Sequence, residues 1–403
     1  MSTSLLYHGF GLKNHHYLRA RYVKGQIIFT VQQDRWSLRC PVCNAKKLIL
    51  HGSHDRQWRS LPIGSKPTFV KMAVQRVECR RCAITRRVQV PFAQRRRTYT
   101  RAFERYALEL SRHMTIFDVA KHLKVSWDLI KDIQKRFLEK RFAKPKLKNL
   151  QVIAIDEITI GKGHQYLTVV LNLNTGAVVF VGDGRGADAL KPFWRRLKAS
   201  KADIKAVAID MSPAYISAVE KNLPQATIVF DHFHVIKMFN DKLADLRRQL
   251  QAEAEESHKK VLKGTRWLLL KNPENLNPDK DEHQRLQDAL ALNQPLATAY
   301  YMKEELRQLW NQATKKKAQK ILVSWIARAR ASKIKILSQL ANSLLDHAHG
   351  ILAYYDYPIS TGPLEGTNNK IKTLQRQAYG FRDRYFFKLK IYALHMSRYA
   401  LVG

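Results

Sequence analysis

Three short apolar runs in this chain each stop on an aspartate: "QVIAID" at Asp156, "KAVAID" at Asp210 and "ATIVFD" at Asp231. Continuous apolar runs without alternation are buried on both faces, which predicts parallel strands sandwiched by helices. Between the first two lie "QYLTVVLNL" and "AVVFVGDG", parted by Asn174-Thr175-Gly176 in the manner of a hairpin. The stretches "ALKPFWRRLKAS" and "SPAYISAVEKN" read as helices, so the predicted order is β-β-β-α-β-α-β-α. In an open sheet of this kind, groups at the carboxyl ends of parallel strands converge at the crevice where strand order reverses. With the first and fourth strands as neighbours, Asp156 and Asp210 meet at that edge.

Two carboxylates held close together repel, and one pKa rises, unless a cation sits between them. All-oxygen ligation suits Mg²⁺ or Mn²⁺, with phosphate oxygens completing the shell. Two such ions about 3.5–4 Å apart clamp an in-line phosphoryl displacement, and that arrangement calls for a third carboxylate. Glu365 in "STGPLEGTNNKIK" meets the need. Thr361, Gly362 and Pro363 are helix-start residues, which puts Glu365 in the first turn. Residues 365, 368, 369 and 372 then share a polar face, opposite Leu364, Ile371 and Leu374. The competing reading of Glu365 is a helix-dipole acid, worth only tenths of a kcal/mol.

Charge supplies the partner. The 403 residues carry 71 Lys and Arg against 33 acids, a formal charge of +38. A field of that sign favours a polyanion, nucleic acid first. Hydrophobic residues at 45% support a folded core, no stretch reaches eighteen apolar residues, and no signal segment opens the chain. The expected location is the cytoplasm.

The four cysteines form two C-x-x-C pairs, "CPVC" at 40–43 and "CRRC" at 79–82. In a reducing compartment two such knuckles close a tetrahedral zinc site, so Cys40, Cys43, Cys79 and Cys82 are expected to hold one structural Zn²⁺. Strand-like pieces between them fit a zinc ribbon with a long hairpin, and His51 and His54 are alternative ligands there. Ten arginines follow between Arg76 and Arg105, with Arg95, Arg96 and Arg97 adjacent, and read as a phosphate-contacting strap. Within 114–142, apolar residues at 116, 117, 119, 120 and 123, and then Trp127, Ile130, Ile133 and Phe137, have helical spacing on either side of Lys124-Val125-Ser126, the helix-turn-helix pattern, whose second helix presents Lys131 and Lys135. The expected boundaries are a zinc ribbon over 1–92 and a helix-turn-helix over 93–147. A catalytic core follows over 148–240 and 350–403, interrupted by an all-helical insertion over 241–349 that contains Trp267 and Trp325.

"IAIDEITIGKGHQYLTVV", "VAIDMSPAY", "IVFDHFHVIK" and "YDYPISTGPLEGTNNKIKTLQRQAYGFRDRYFFKLKI" together resemble the motifs of DDE transposases of bacterial insertion sequences, in particular the ISL-three family. The likeness spans nearly the whole chain. It implies an RNase H-like catalytic fold with Asp156, Asp210 and Glu365 as the metal-binding triad, two Mg²⁺ or Mn²⁺ ions, and Lys372 as the family's basic position. It also singles out Asp231 and His234 in "DHFH", the histidine as donor or general acid. The resemblance implies binding to terminal inverted repeats and target DNA, strand cleavage and transfer, and a homodimer or larger assembly. The alternatives are a DNA-binding regulator with an inactive catalytic domain and a structure-specific nuclease.

Overall fold

The chain was described from a computed structural model, which describes residues 5–161 and 163–395. It divides into two compact units: the N-terminal residues up to Lys144 together with the chain from Thr373 onward, and Pro145–Lys372.

In the first unit, a short helix α1 (Leu5–His8) precedes strands β1 (His15–Val23), β2 (Gln26–Gln33), β3 (Leu48–Ile63), β4 (Lys66–Cys79) and β5 (Thr85–Arg87). The sheet runs β1-β2-β4-β3, with β5 added to β4. β3 and β4 form the expected long hairpin, and its ends carry the two cysteine knuckles. Trp58, Val70, Met72, Val74 and Val77 share one buried cluster, with Val88 and Phe92 from the strap packed into it.

Helices α2 (Arg101–Leu110), α3 (Ile116–Leu123) and α4 (Trp127–Phe142) follow. Each starts on a hydroxyl cap: Thr100, Thr115 and Ser126 accept from the backbone N–H three residues on, at 3.1, 3.1 and 3.3 Å. Such caps are worth about 1 kcal/mol each. α3 stops at Lys124, which turns left-handed at φ 53°, and α4 begins three residues later at Trp127, so the helix-turn-helix forms as its spacing predicts. The buried Arg59 guanidinium, stacked over Phe69 and Phe103, donates to the Leu123 carbonyl at 2.8 Å and thereby ties the hairpin to the end of α3.

The second unit is built on β6 (Val152–Gly161), β7 (Gln165–Asn172), β8 (Ala177–Asp183), α5 (Ala187–Ser200), β9 (Ala206–Ile209), α6 (Pro213–Asn222), β10 (Thr227–Phe230) and α7 (His232–Glu253). This is the predicted element order. The sheet runs β10-β9-β6-β7-β8, with β6, β9 and β10 parallel and β7 and β8 antiparallel. Helices α8 (Glu256–Gly264), α9 (Glu282–Leu292), α10 (Gln294–Arg307), α11 (Lys315–Ala331), α12 (Lys335–Asp346) and α13 (Ala348–Leu352) form the insertion.

The insertion is less separate than its sequence implies. The expected boundary at 240 falls inside α7, and apolar residues of α10–α12 share one continuous core with those of the sheet. Trp325 belongs to that core, fully buried with its indole N–H on the Met302 carbonyl at 2.8 Å, whereas Trp267 is exposed. Gly350 lets α13 lie directly on the Phe230 ring of β10; a Cβ there would come within 2.5 Å of it.

α14 (Gly362–Gln377) carries the chain from the second unit back to the first, and α15 (Arg384–Ala393) ends the described structure. Here the structure parts from the expected boundary at 350–403. Phe386, Leu389 and Ala393 of α15 pack into the same core as Ile130, Ile133 and Leu138 of α4, because the apolar side of α4 is too long for α2 and α3 alone to cover.

Candidate active site and zinc knot

The parallel ladder pairs Ala154 with Ala208 and Phe230 with Ile209. Carried two residues up the β6–β9 ladder, that register sets Asp156 level with Asp210. The β10 ladder continues through the Asp231 N–H to the Ile209 carbonyl at 3.1 Å, which brings Asp231 to the same edge. The three aspartates therefore stand on neighbouring strands at the carboxyl edge, the crevice that the strand pattern points to.

Asp156 is half-buried. One carboxylate oxygen accepts from the Glu157 N–H at 2.7 Å and the other from Asn368 Nδ2 at 2.9 Å. Burial pushes its carboxyl up to about 6, and the negative charges of Asp210 and Glu157 add to the effect. Asp210 accepts from the Ser212 N–H at 3.1 Å. Glu157 accepts from the Tyr215 hydroxyl at 3.2 Å and so braces α6. Asp188 pairs with Lys191 in solvent at 2.6 Å, in keeping with a surface role.

Asp231 is 2% exposed. It caps α7 through the Phe233 N–H at 3.4 Å, accepts from the Thr361 hydroxyl, and lies 3.2 Å from His234 Nδ1. Burial works against its ionisation, but the contacts with His234 and Thr361 outweigh that and hold the carboxyl below the usual range. In return Asp231, with Asp156 and Asp210 beyond it, raises the His234 imidazole above its ordinary value. Asp231 thus caps the helix and favours the protonated form of His234 in one network.

α14 has the predicted division of faces. Leu364, Ile371 and Leu374 are buried, and Glu365, Asn369 and Lys372 are exposed. Asn368, one turn after Glu365, turns inward at 7% exposure, and its Oδ1 has no hydrogen-bond partner. The helix start is consequently tied to the sheet edge twice, through Thr361 to Asp231 and through Asn368 to Asp156. Neither tie was assigned from sequence, although Asn368 was legible as part of the polar stripe. The oxygens of Asp156, Asp210 and Glu365 do not all lie within 4.8 Å of one another.

The cysteines do converge. Among the described residues, Cys40, Cys43, Cys79 and Cys82 form the one group whose ligand atoms all lie within 4.8 Å. Sγ separations are 3.6 Å for Cys40–Cys82 and 3.5 Å for Cys43–Cys79. Four thiolates about 2.3 Å from a shared tetrahedral centre would stand about 3.8 Å apart, so the cage fits zinc. Backbone N–H groups of Cys43 and Val42 lower the Cys40 thiol to about 6, favouring the thiolate that binds metal. His51 is engaged with Glu78 at 2.6 Å and adds no ligand to that group.

Of the residues expected to touch DNA, Arg95 and Arg96 are exposed, while Arg97 pairs with Asp132 at 3.2 Å. Lys131 and Lys135 are both held by Asp383 just before α15, at 3.4 and 3.1 Å. Lys372 stands exposed on α14.

Comparison with known proteins adds the following. Residues 153–391 match a transposase family model of ISL3 type, 88–138 match the helix-turn-helix domain of transposase family ISL3, and 36–82 match a zinc finger of IS204/IS1001/IS1096/IS1165 transposases. The chain is 33% identical, over 88% of both chains, to the transposase for insertion sequence element IS1001 of Bordetella parapertussis. It is 30% identical to the transposase for insertion sequence element IS1557 of Mycobacterium tuberculosis, over 86% of this chain and 83% of that one. A solved Drosophila P element transposase strand transfer complex aligns with a TM-score of 0.42 at 10% identity, covering 76% of this chain and 94% of that one.

Proposed function

This chain belongs to the ISL3 family of insertion-sequence transposases, and on that premise we propose that it cuts and joins DNA at the termini of its element through a metal-dependent centre formed by Asp156, Asp210 and Glu365. The observation that carries the reading is the strand register, which brings Asp156 level with Asp210, together with the Asn368 bond that ties the glutamate-bearing helix to Asp156. The donors fit a hard divalent cation. They are carboxylate oxygens, and burial, with the neighbouring charges of Asp210 and Glu157, raises the Asp156 carboxyl. When bound, Mg²⁺ or Mn²⁺ supplies activation of the attacking water or hydroxyl and neutralisation of the leaving oxygen.

The chain's own groups do the rest. Asp156, Asp210 and Glu365 hold the cations. Protonated His234, steadied by Asp231, faces the same carboxylates and donates to the oxygen that departs as the phosphorus bond to the old strand breaks and the new one forms. Lys372 grips the phosphate beyond Glu365. The helix-turn-helix and the Arg95–Arg97 strap bind the terminal inverted repeat; Lys131 and Lys135, being paired with Asp383, add to the field rather than to direct reading. Pairing of two ends requires at least two copies of the chain. No helix among the described residues is long and apolar enough to cross a membrane.

The test is Mg²⁺- or Mn²⁺-dependent nicking of a labelled element end, with a duplex of unrelated sequence as control. Wild-type protein nicks the end, and Glu365→Gln binds it but does not nick. A Glu365→Gln protein that cuts at the wild-type rate would sink the triad and leave the nuclease or the regulator standing.

A further inference from the structure

We infer that the zinc-bearing unit holds a second DNA site, a cleft of about 810 Å³ that takes the sugar-phosphate backbone of duplex DNA on arginines from the hairpin, β5, the strap and the start of α2. This rests on the transposase reading for the identity of the polyanion, and it adds a track that the helix-turn-helix does not provide.

Six arginines line the cleft, Arg56, Arg86, Arg87, Arg95, Arg96 and Arg101, and no acid does. The "CPVC" knuckle closes one side with Pro41 and Val42. The nearest acid of α2 is already engaged: Glu104 accepts from Gln94 at 3.1 Å and pairs with Arg136 at 3.8 Å. Arg56 is fixed in place, stacked 4.9 Å over Trp58 and donating to the Arg97 carbonyl at 2.9 Å.

Three of the cleft's residues break local rules, two through charge and one through backbone conformation. Arg87 lies directly opposite Arg76 in the β4–β5 ladder, a cross-strand pair of like charge that destabilises a sheet. Arg96 sits third in the turn closed by the Arg97 N–H on the Gln94 carbonyl at 3.1 Å, with φ 62°, where glycine or asparagine is the ordinary occupant. Arg101 opens α2, where a cation opposes the helix dipole. The charge conflicts at Arg87 and Arg101 are relieved by an anion in the cleft, and the backbone strain at Arg96 is what holds its side chain there. Departures from local consistency that cluster in space mark function rather than stability. A run of phosphates suits six guanidiniums that offer paired donors over a long cleft.

The wall formed by the CPVC knuckle makes this grip depend on zinc. The zinc site therefore orders one face of the DNA track as well as the fold of the ribbon.

The experiment uses the full-length, zinc-loaded chain and measures binding against salt concentration on the element's own end and on a random duplex. For the variant with Arg86, Arg87, Arg95 and Arg96 all replaced by glutamine, the slope of log affinity against log salt should fall by about 3–4, since each phosphate contact contributes about 0.9. The protected length of the end should shorten on one side, and the corresponding lysine variant should restore most of the slope. Arg87→Gln and Arg96→Gly should each weaken DNA binding yet raise the melting temperature of the DNA-free protein, a pairing that a structural role would not give. Zinc content and these two single variants decide the matter if the fourfold variant misfolds. An unchanged slope and footprint, or single variants that melt lower, overturn the cleft. A chain that prefers no end and cuts none, but whose slope on random duplex falls as stated, keeps the cleft and loses the transposase reading.

Discussion

The cysteine cage and the proposed catalytic centre of this molecule are built in opposite ways. In the first unit the four thiol sulfurs stand within 4.8 Å of one another, a finished cage of soft ligands closed by the chain itself. In the second unit Asp156 and Asp210 are fixed by strand register and backbone hydrogen bonds, while Glu365 is exposed on its helix and the three do not converge to that degree. A structural zinc takes all its ligands from protein and contributes folding energy. A hard catalytic cation keeps positions for water and substrate phosphate, so a site of that kind is completed by the DNA it acts on. Burial acts alike in both units, penalising charge: it raises Asp156 in the second and lowers Lys390, on α15, to about 7 in the first.

The largest effect should come from breaking the closed cage. Zinc binding to such sites is worth roughly 10–16 kcal/mol, so Cys79→Ser or chelation should unfold the hairpin and strap while the second unit's melting transition persists. Metal analysis should give about one zinc per chain; none, or oxidised thiols, would remove the distinction between the two sites. The open site should tolerate the matching change structurally and fail chemically. Asp156→Asn, Asp210→Asn and Glu365→Gln should each lower nicking by at least about a thousandfold, or about 4 kcal/mol in the barrier, with little change in melting temperature or end binding.

Lys390 sharpens the comparison of buried charges. Its pKa near 7 lies below the ordinary 10.5, so the penalty for burying the ammonium is fully present below pH 7 and fades as pH climbs toward 10.5. Lys390→Met should therefore stabilise the first unit by about 2–4 kcal/mol at pH 6 and by almost nothing at pH 10.5. A gain independent of pH would mean that packing against Phe381 and Phe386, and not charge, governs the position. The smallest effect concerns how the open site is held. Asn368→Ala removes the donor that orients Asp156, and Mn²⁺ affinity measured by titration should drop about 10–100-fold, as for other groups that orient a metal ligand. Unchanged affinity would make Asn368 a packing residue only.

What the sequence by itself determined were the features written in local spacing. Two C-x-x-C pairs place four sulfurs on two tight turns whatever the rest of the fold does. Apolar runs ending on Asp156, Asp210 and Asp231 set strands whose parallel register follows from burial on both faces. The turn at Lys124-Val125-Ser126, with Ser126 capping the second helix, divides the two helices of the helix-turn-helix. Tertiary structure alone decided the pairings between residues far apart in the chain. Asp383 captures Lys131 and Lys135 because α15 covers the side of α4 that carries them. Trp325 lies in α11 and is core, whereas Trp267 falls in the turn after α8 and is exposed, although both stretches read as helical in sequence. Asn368 and Thr361 acquire their partners only when α14 meets the strand edge. Periodicity says which face of a helix is polar, but the acceptor that a polar group finds is fixed by which strand that face meets, and that contact costs chain entropy that only the whole core repays.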